Sequence, residues 1–155
     1  MDIKEILDRE GLYLASNVKR VLAYTIDDII ISSIMLVAFY GDIKSLNGDM
    51  QAIQQLFVEL VPYIMILSII YHTIFTALYG GSLGKILCKI KVIRIDTLDK
   101  PNYLQSFYRA FVRVISTNLL LYIPLLFAFV DTFRRAFHDI VVHTIVIDVS
   151  IPQDV

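Results

Sequence analysis

Two apolar stretches of 20 residues, at positions 21–40 and 60–79, constrain this chain more than any other feature. The hydrocarbon core of a lipid bilayer is about 30 Å thick, and roughly 20 helical residues are needed to span it. Apolar residues make up 57% of the 155 residues, a larger share than a soluble domain usually carries. Both stretches therefore predict transmembrane helices.

A third apolar run, at positions 119–130, is shorter and contains Pro124. Runs of this length are more often re-entrant or interfacial than membrane-spanning. We therefore predict a third membrane helix at 112–137 that is either bent or folded back as a re-entrant hairpin. A single span over 112–133 is the alternative.

The Lys and Arg residues are distributed unevenly along the chain. Residues 1–20 hold four of them and residues 80–113 hold seven, whereas residues 41–56 hold one. Cytoplasmic flanks of membrane helices collect Lys and Arg. The N-terminus and the second loop are therefore expected in the cytoplasm, and the first loop outside.

Two β-branched runs, at 91–96 and 144–148, predict short strands. A hairpin before the second run would bring both strands into the cytoplasm, where they could pair and satisfy their edges. A single span would separate them. The predicted fold is thus a single-domain, all-α membrane protein with a small cytoplasmic two-stranded β element. Its predicted segments are a helix at 18–40, an external loop at 41–56, a helix at 57–79, a basic cytoplasmic loop at 80–111, the third membrane helix or hairpin at 112–137 and a cytoplasmic tail at 138–155.

The segment from Asn102 has a helical pattern. Its apolar residues fall on one face and Arg109 and Arg113 on another, which predicts a helix lying at the cytoplasmic surface of the membrane. A soluble amphipathic helix packed on the strands is the alternative. The apolar positions are Tyr103, Phe107, Ala110, Phe111 and Val114.

The segment 79–85 contains three glycines and Lys85, but it lacks the glycine and hydroxyl positions of a phosphate-binding loop. Its glycines suit helix ends and close packing instead. Gly80 can end the second helix, and Gly80 and Gly84 have a small-xxx-small spacing that allows another helix to approach. Lys85 and Arg109 are expected to contact the anionic inner leaflet.

Charged residues interrupt the first apolar helix. Arg20 and Asp27 are two turns apart on one face and cannot reach each other, so each needs a partner from another element. Asp27 lies roughly 9 Å deep, where an unpaired ionisable group costs on the order of 3 kcal/mol. His72 has nearly the same depth on the second helix. We therefore predict that it packs near Asp27 or Asp28, forming either a proton or cation site or a polar clamp.

Other chemistry finds little support in the sequence. His138, Asp139 and His143 lack the i, i+4 spacing of helical metal ligands. Cys88 is the single cysteine, and no base stands beside it. We therefore expect no metal, no cofactor and no enzymatic activity.

Several motifs together resemble the RDD family of small multi-pass membrane proteins. Arg20-x-x-Ala-x-x-x-Asp27 is similar to its first-helix motif, and Gly81-Ser-Leu-Gly-Lys85 to its Gly-x-x-Gly-Lys segment. Arg109 is similar to the Arg of its interfacial helix, and Asp139 to its second named Asp. The resemblance implies a buried polar cluster of Arg20, Asp27 and Asp139, with Arg20 paired to Asp139. Asp28, His72 and His143 depart from the family pattern.

The resemblance suggests transport roles, including cation/proton exchange, and accessory roles in larger complexes. We therefore expect a protein of the bacterial inner membrane that acts as an oligomeric proton- or cation-coupled transporter, with Asp27, Asp28 and His72 binding a proton or sodium ion. The alternative is a non-transporting accessory, assembly or scaffold subunit. The expected partners are lipid and a second copy or another membrane protein, and not nucleic acid.

Overall fold

The computed structural model of the protein describes residues 3–119 and 131–150. The elements in these ranges are α1 (Ile3–Arg9), α2 (Asn17–Ala38), α3 (Tyr40–Ser45), α4 (Met50–Tyr79), α5 (Leu83–Leu87), β1 (Ile90–Arg94), α6 (Tyr103–Leu119), α7 (Phe137–Val141) and β2 (Thr144–Asp148).

The helices α2 and α4 are long and apolar enough to cross a membrane. Many apolar side chains of α4 are exposed, as are Ile29 and Val37 of α2, which are 59% and 77% exposed. Exposed apolar surface on this scale is stable where the surroundings are lipid. The two helices predicted from the apolar stretches are both present.

The first loop is more helical than predicted. The short helix α3 follows α2 directly, and α4 begins at Met50, seven residues before the predicted start. The Asp49 side chain caps α4 by accepting hydrogen bonds from Gln51 N and Ala52 N. At 1.5 Å per residue, α4 is about 45 Å long, so it extends beyond a hydrocarbon core of about 30 Å.

The strands β1 and β2 pair antiparallel, with Val92 opposite Val146. The segment before α2 joins them, because Ala15 N donates to Val146 O at 2.9 Å. A single span over 112–133 would hold the two strands on opposite sides of a membrane, so their pairing favours the hairpin. The centre of the predicted bend or hairpin, residues 120–130, lies outside the described residues.

The helix α6 packs on α4 with its polar side inward. Ser106, Arg109 and Arg113 are buried. The small apolar residues Ala110 and Val114 are buried with them, whereas the large residues Tyr108 and Phe107 are 53% and 42% exposed. This is the reverse of an amphipathic helix on a soluble protein, which buries its apolar face. Because α6 packs mainly on α4, the alternative's packing of this helix on the strands is wrong.

Candidate functional site

The Asp139 carboxylate lies at the centre of a buried cluster of charges. It stands in the first turn of α7, where its Oδ2 accepts a hydrogen bond from Ala136 N. Arg20 Nη1 of α2 donates to Oδ2 at 3.0 Å, and Arg109 Nε of α6 donates to Oδ1 at 3.0 Å. All three residues are at most 4% exposed. One carboxylate therefore joins α2, α6 and α7.

The electrostatics of this cluster favour an ionised Asp139. Burial raises the pKa of its carboxyl, but the positive charges of Arg109 and Arg20 more than offset this effect and hold that pKa well below its usual range. The predicted contact between Arg20 and Asp139 is present. The expectation that Arg109 contacts the inner leaflet is wrong, because Asp139 binds its guanidinium inside the protein.

Asp27 forms a second buried site. Its carboxylate accepts hydrogen bonds from Tyr71 Oη at 2.8 Å, Ser82 Oγ at 2.5 Å and Gly84 N at 2.9 Å. These donors belong to the end of α4 and the start of α5. Asp27 is therefore the point at which α2 is attached to the turn between those helices.

The glycines of this turn explain how the chain reaches Asp27. Gly80 ends α4 in the left-handed conformation, with φ of +77°. Gly84 brings α5 against α2 so closely that a Cβ at this position would lie 2.1 Å from Ala23 O. The close approach predicted from the glycine spacing is present at Gly84. Ser82 occupies the N-cap position of α5, but its hydroxyl donates to Asp27.

Lys85 lies between the two sites. It is 1% exposed, and its Nζ is 5.6 Å from the centre of the Tyr24 ring. Burial lowers the pKa of Lys85 well below its usual value, and the charge of Arg109 lowers it further. The expectation that Lys85 contacts the inner leaflet is wrong, because α5 turns this side chain into the protein.

A cavity of about 120 Å³ lies between α2, α4 and α6. Its ionisable lining residues are Asp28, His72 and Arg113, one from each helix. Arg113 Nη1 is 2.6 Å from His72 Nε2. Since a guanidinium only donates hydrogen bonds, the imidazole must be the acceptor.

The predicted trio of Asp27, Asp28 and His72 is therefore divided. The prediction was that His72 packs near Asp27 or Asp28, and His72 lines the same cavity as Asp28. Asp27 is bound separately by Tyr71, Ser82 and Gly84. Asp27 is not among the residues that line the cavity, and whether any of the three residues binds a proton or a cation stays a prediction. Sequence reasoning missed the role of Arg113, although its four-residue spacing from Arg109 had indicated that both share a face.

His138 is buried beside the Asp139 cluster, and neither ring nitrogen has a hydrogen-bond partner among the described residues. Its Nε2 is 3.6 Å from Asp139 Oδ1. Burial lowers the pKa of His138 well below its usual value, against the opposing charge of Asp139. Within residues 3–119 and 131–150, no group of three His, Cys, Asp or Glu residues is placed to hold a metal ion.

Comparison with known proteins places this arrangement in a family. No curated protein and no solved structure matches the chain significantly. The sequence model of the RDD family, however, matches residues 14–143, which include Arg20, Asp27 and Asp139. Because this match covers most of the chain, the protein belongs to the RDD family of membrane proteins.

Proposed function

We propose that this protein is an oligomeric, proton-coupled ion transporter whose ion site is the cavity of Asp28, His72 and Arg113. The observation that carries the proposal is the convergence of these three side chains, from three helices, on one cavity between membrane helices. Ionisable groups at this depth are costly, and where they face a cavity they mark ion or proton pathways.

The proposal includes α6 as a third membrane-embedded helix. Its exposed aromatic side chains and its buried arginines suit a helix with lipid outside and a polar protein interior. The protein is then placed in the bacterial inner membrane with its N-terminus in the cytoplasm, as the distribution of Lys and Arg favours.

Oligomerisation supplies the rest of the pathway, because two spans and α6 do not enclose one. An open groove of about 370 Å³ runs along the outer face of α2 and is lined by Asp28, Ser32 and Ser33, among others. Polar side chains on a lipid-facing surface favour contact with another helix. Asp28 lines both this groove and the cavity, so a second copy in the groove would border the ion site.

A non-transporting accessory or scaffold subunit is the second candidate. The Asp139 cluster favours it, because the hydrogen bonds from Arg20 and Arg109 and the cap of α7 give this carboxylate a purely structural role. The groove on α2 would then receive another membrane protein.

Proteoliposomes that contain the full chain and an internal pH dye distinguish the two candidates. Gradients of sodium, potassium or chloride salts are expected to drive proton movement in the wild type. Asp28→Asn is expected to abolish it, while Asp42→Asn on the exposed helix α3 keeps it. If none of the gradients drives proton movement although the protein is normally folded, that result would contradict transport and favour the accessory role.

A further inference from the structure

We infer that the cavity of Asp28, His72 and Arg113 binds a small inorganic or carboxylate anion together with a proton, rather than a metal cation. This inference rests on the proposed function for its role in transport, but the binding itself stands on the geometry of the cavity. It names the class of ion that the site selects.

The first argument is the fixed charge of Arg113. In the described part of the chain its guanidinium contacts two uncharged groups: the ring nitrogens of His72 and the face of Tyr24, whose ring centre lies 4.5 Å from Cζ. Arg20 and Arg109 differ, because both donate to Asp139. Arg113 is 7% exposed and lines the cavity, so it presents a buried positive charge to any bound ion.

The second argument is the charge of the surrounding protein. Three guanidinium groups and two carboxylates are buried around the cavity and the two carboxylate sites; the guanidinium groups are those of Arg20, Arg109 and Arg113, and the carboxylates are those of Asp27 and Asp139. Charges interact strongly where water is excluded. A metal cation in the cavity would be repelled by Arg113 and its basic neighbours, whereas an anion would be attracted.

The third argument concerns Asp28, the acidic residue that lines the same cavity. An ionised Asp28 balances Arg113, and a protonated Asp28 leaves the positive charge for a ligand. Anion and proton therefore enter together, and the pair adds no net charge to a low-dielectric site. Among the described residues that line the cavity, the titratable and charged groups that face Asp28 are His72 of α4 and Arg113 of α6.

Size and polarity restrict the ligand further. A cavity of about 120 Å³ holds a halide, nitrate, formate or acetate but not a nucleotide or a sugar acid such as gluconate. Thr117 and Asn118 add a hydroxyl and an amide to the wall, and Val114 adds an apolar surface. This mixture suits a monovalent, weakly hydrated anion.

Thermal unfolding of the purified full chain tests the binding directly. A thiol-reactive dye reports unfolding through Cys88, the single and partly buried cysteine. Sodium chloride, nitrate and formate are compared with sodium gluconate at equal ionic strength, at pH 5 and pH 8. We expect the small anions to raise the Tm by a few degrees, increasing with the logarithm of their concentration, and more at pH 5.

Variants show whether the effect belongs to the cavity. Arg113→Gln is expected to abolish the anion-dependent shift, and Arg135→Gln, which removes a surface arginine paired with Asp131, is expected to keep it. Ser68→Leu fills the cavity wall while leaving all three ionisable side chains, and it should also abolish the shift. It therefore tests the inference even if Arg113→Gln does not fold.

Combined with the proteoliposome assay, these measurements separate the two claims. Anion-dependent stabilisation without proton movement would support the site and contradict transport. Proton movement driven by sodium or potassium, with equal Tm values in chloride and gluconate, would support transport and overturn the anion site. A shift of the same size in wild type and Ser68→Leu would also overturn it.

Discussion

At the scale of single residues, Asp139 joins three helices of the described part of the chain. It accepts hydrogen bonds from two buried guanidinium groups and from the first turn of α7. Removing one partner of a buried ion pair is far more costly than the net stabilisation by the pair, because the remaining charge stays buried and unpaired. Asp139 has two such partners.

Asp139→Asn should therefore destabilise the protein strongly. We expect a cost of about 3–5 kcal/mol in the free energy of unfolding, or a fall in Tm on the order of 10 °C. Asp131→Asn is the matched control, since it weakens a partly exposed pair with Arg135 and should cost about 1 kcal/mol or less. Equal Tm values for the two variants would contradict a central role for Asp139.

His138 makes the stability of the protein depend on pH. Because burial lowers its pKa, it stays neutral in the folded state, while the unfolded histidine takes up a proton below about pH 6.5. The unfolded state then binds more protons, so stability falls as the pH falls, by about 2 kcal/mol at pH 5.

His138→Phe keeps a buried ring and removes the proton site. Tm measured between pH 8 and pH 5 should fall less in this variant than in the wild type. His143→Asn, in the turn beyond α7, removes a histidine that is not fully buried and should retain the wild-type pH dependence. A wild-type slope in His138→Phe would show that other groups control the acid sensitivity.

The residues of the Asp139 cluster were largely predictable. The spacing of Arg20 and Asp27 required partners from other elements, and the family resemblance indicated Asp139. Arg113 and Tyr71 were not found, because their roles depend on how α6 and α4 are rotated about their own axes. For α6 the usual rule of apolar residues inward is reversed, so the sequence pattern alone gave the wrong environment for Arg109.

At the scale of elements, the contact between α2 and α5 depends on Gly84. A methyl group there would overlap Ala23 O and would lie 2.9 Å from Asp27 Oδ1, so it would separate the helices and break the bond from Gly84 N. We expect Gly84→Ala to cost about 3 kcal/mol, measured as loss of Tm. In the control Gly41→Ala, the new methyl group on α3 would have open space around it, so this substitution should be neutral or slightly stabilising. A similar loss of Tm in both variants would contradict the tight contact at Gly84.

The reversed polarity of α6 can be tested with a fluorescent probe, since the chain contains no tryptophan. Tyr108→Trp places a probe on the exposed face of α6, and brominated lipids should quench its emission strongly if that face contacts acyl chains. Tyr13→Trp, at the exposed segment before α2, is the control and should be quenched much less. Equal, weak quenching at both positions would show that α6 lies outside the membrane.

Element positions were predicted better than element ends. Both long helices and both strands were found from periodicity and β-branched runs. The start of α4 was missed because a side-chain cap at Asp49 extends the helix through polar residues that apolar length does not detect. The strand β1 ends at Arg94, two residues before the predicted end, because Arg94 N donates a hydrogen bond to Asp99 O of the following turn.

At the scale of the whole molecule, the small sheet connects parts of the chain that the membrane helices separate. Leu14 bridges Ile147, and β1 pairs with β2, so the N-terminal segment, the loop after α4 and the C-terminal strand meet in one unit. Paired strands lie on one side of a membrane. The N-terminal segment, β1 and β2 are therefore expected on the same side of it.

This topology predicts which positions an impermeant thiol reagent reaches in intact cells. With Cys88 replaced by Ser, Val149→Cys just after β2 should be labelled only after the cells are permeabilised, because its strand is paired with β1, which the distribution of Lys and Arg predicts to be cytoplasmic. Lys44→Cys, on α3 between the two spans, is the matched control and should be labelled from outside. Both positions are solvent-exposed, so a difference in labelling reports the side of the membrane and not burial. Labelling of Val149→Cys from outside, with Lys44→Cys protected, would show that the orientation is the reverse of the one predicted. Labelling of both positions from outside would contradict the predicted topology, in which α2 separates the first loop from the paired strands.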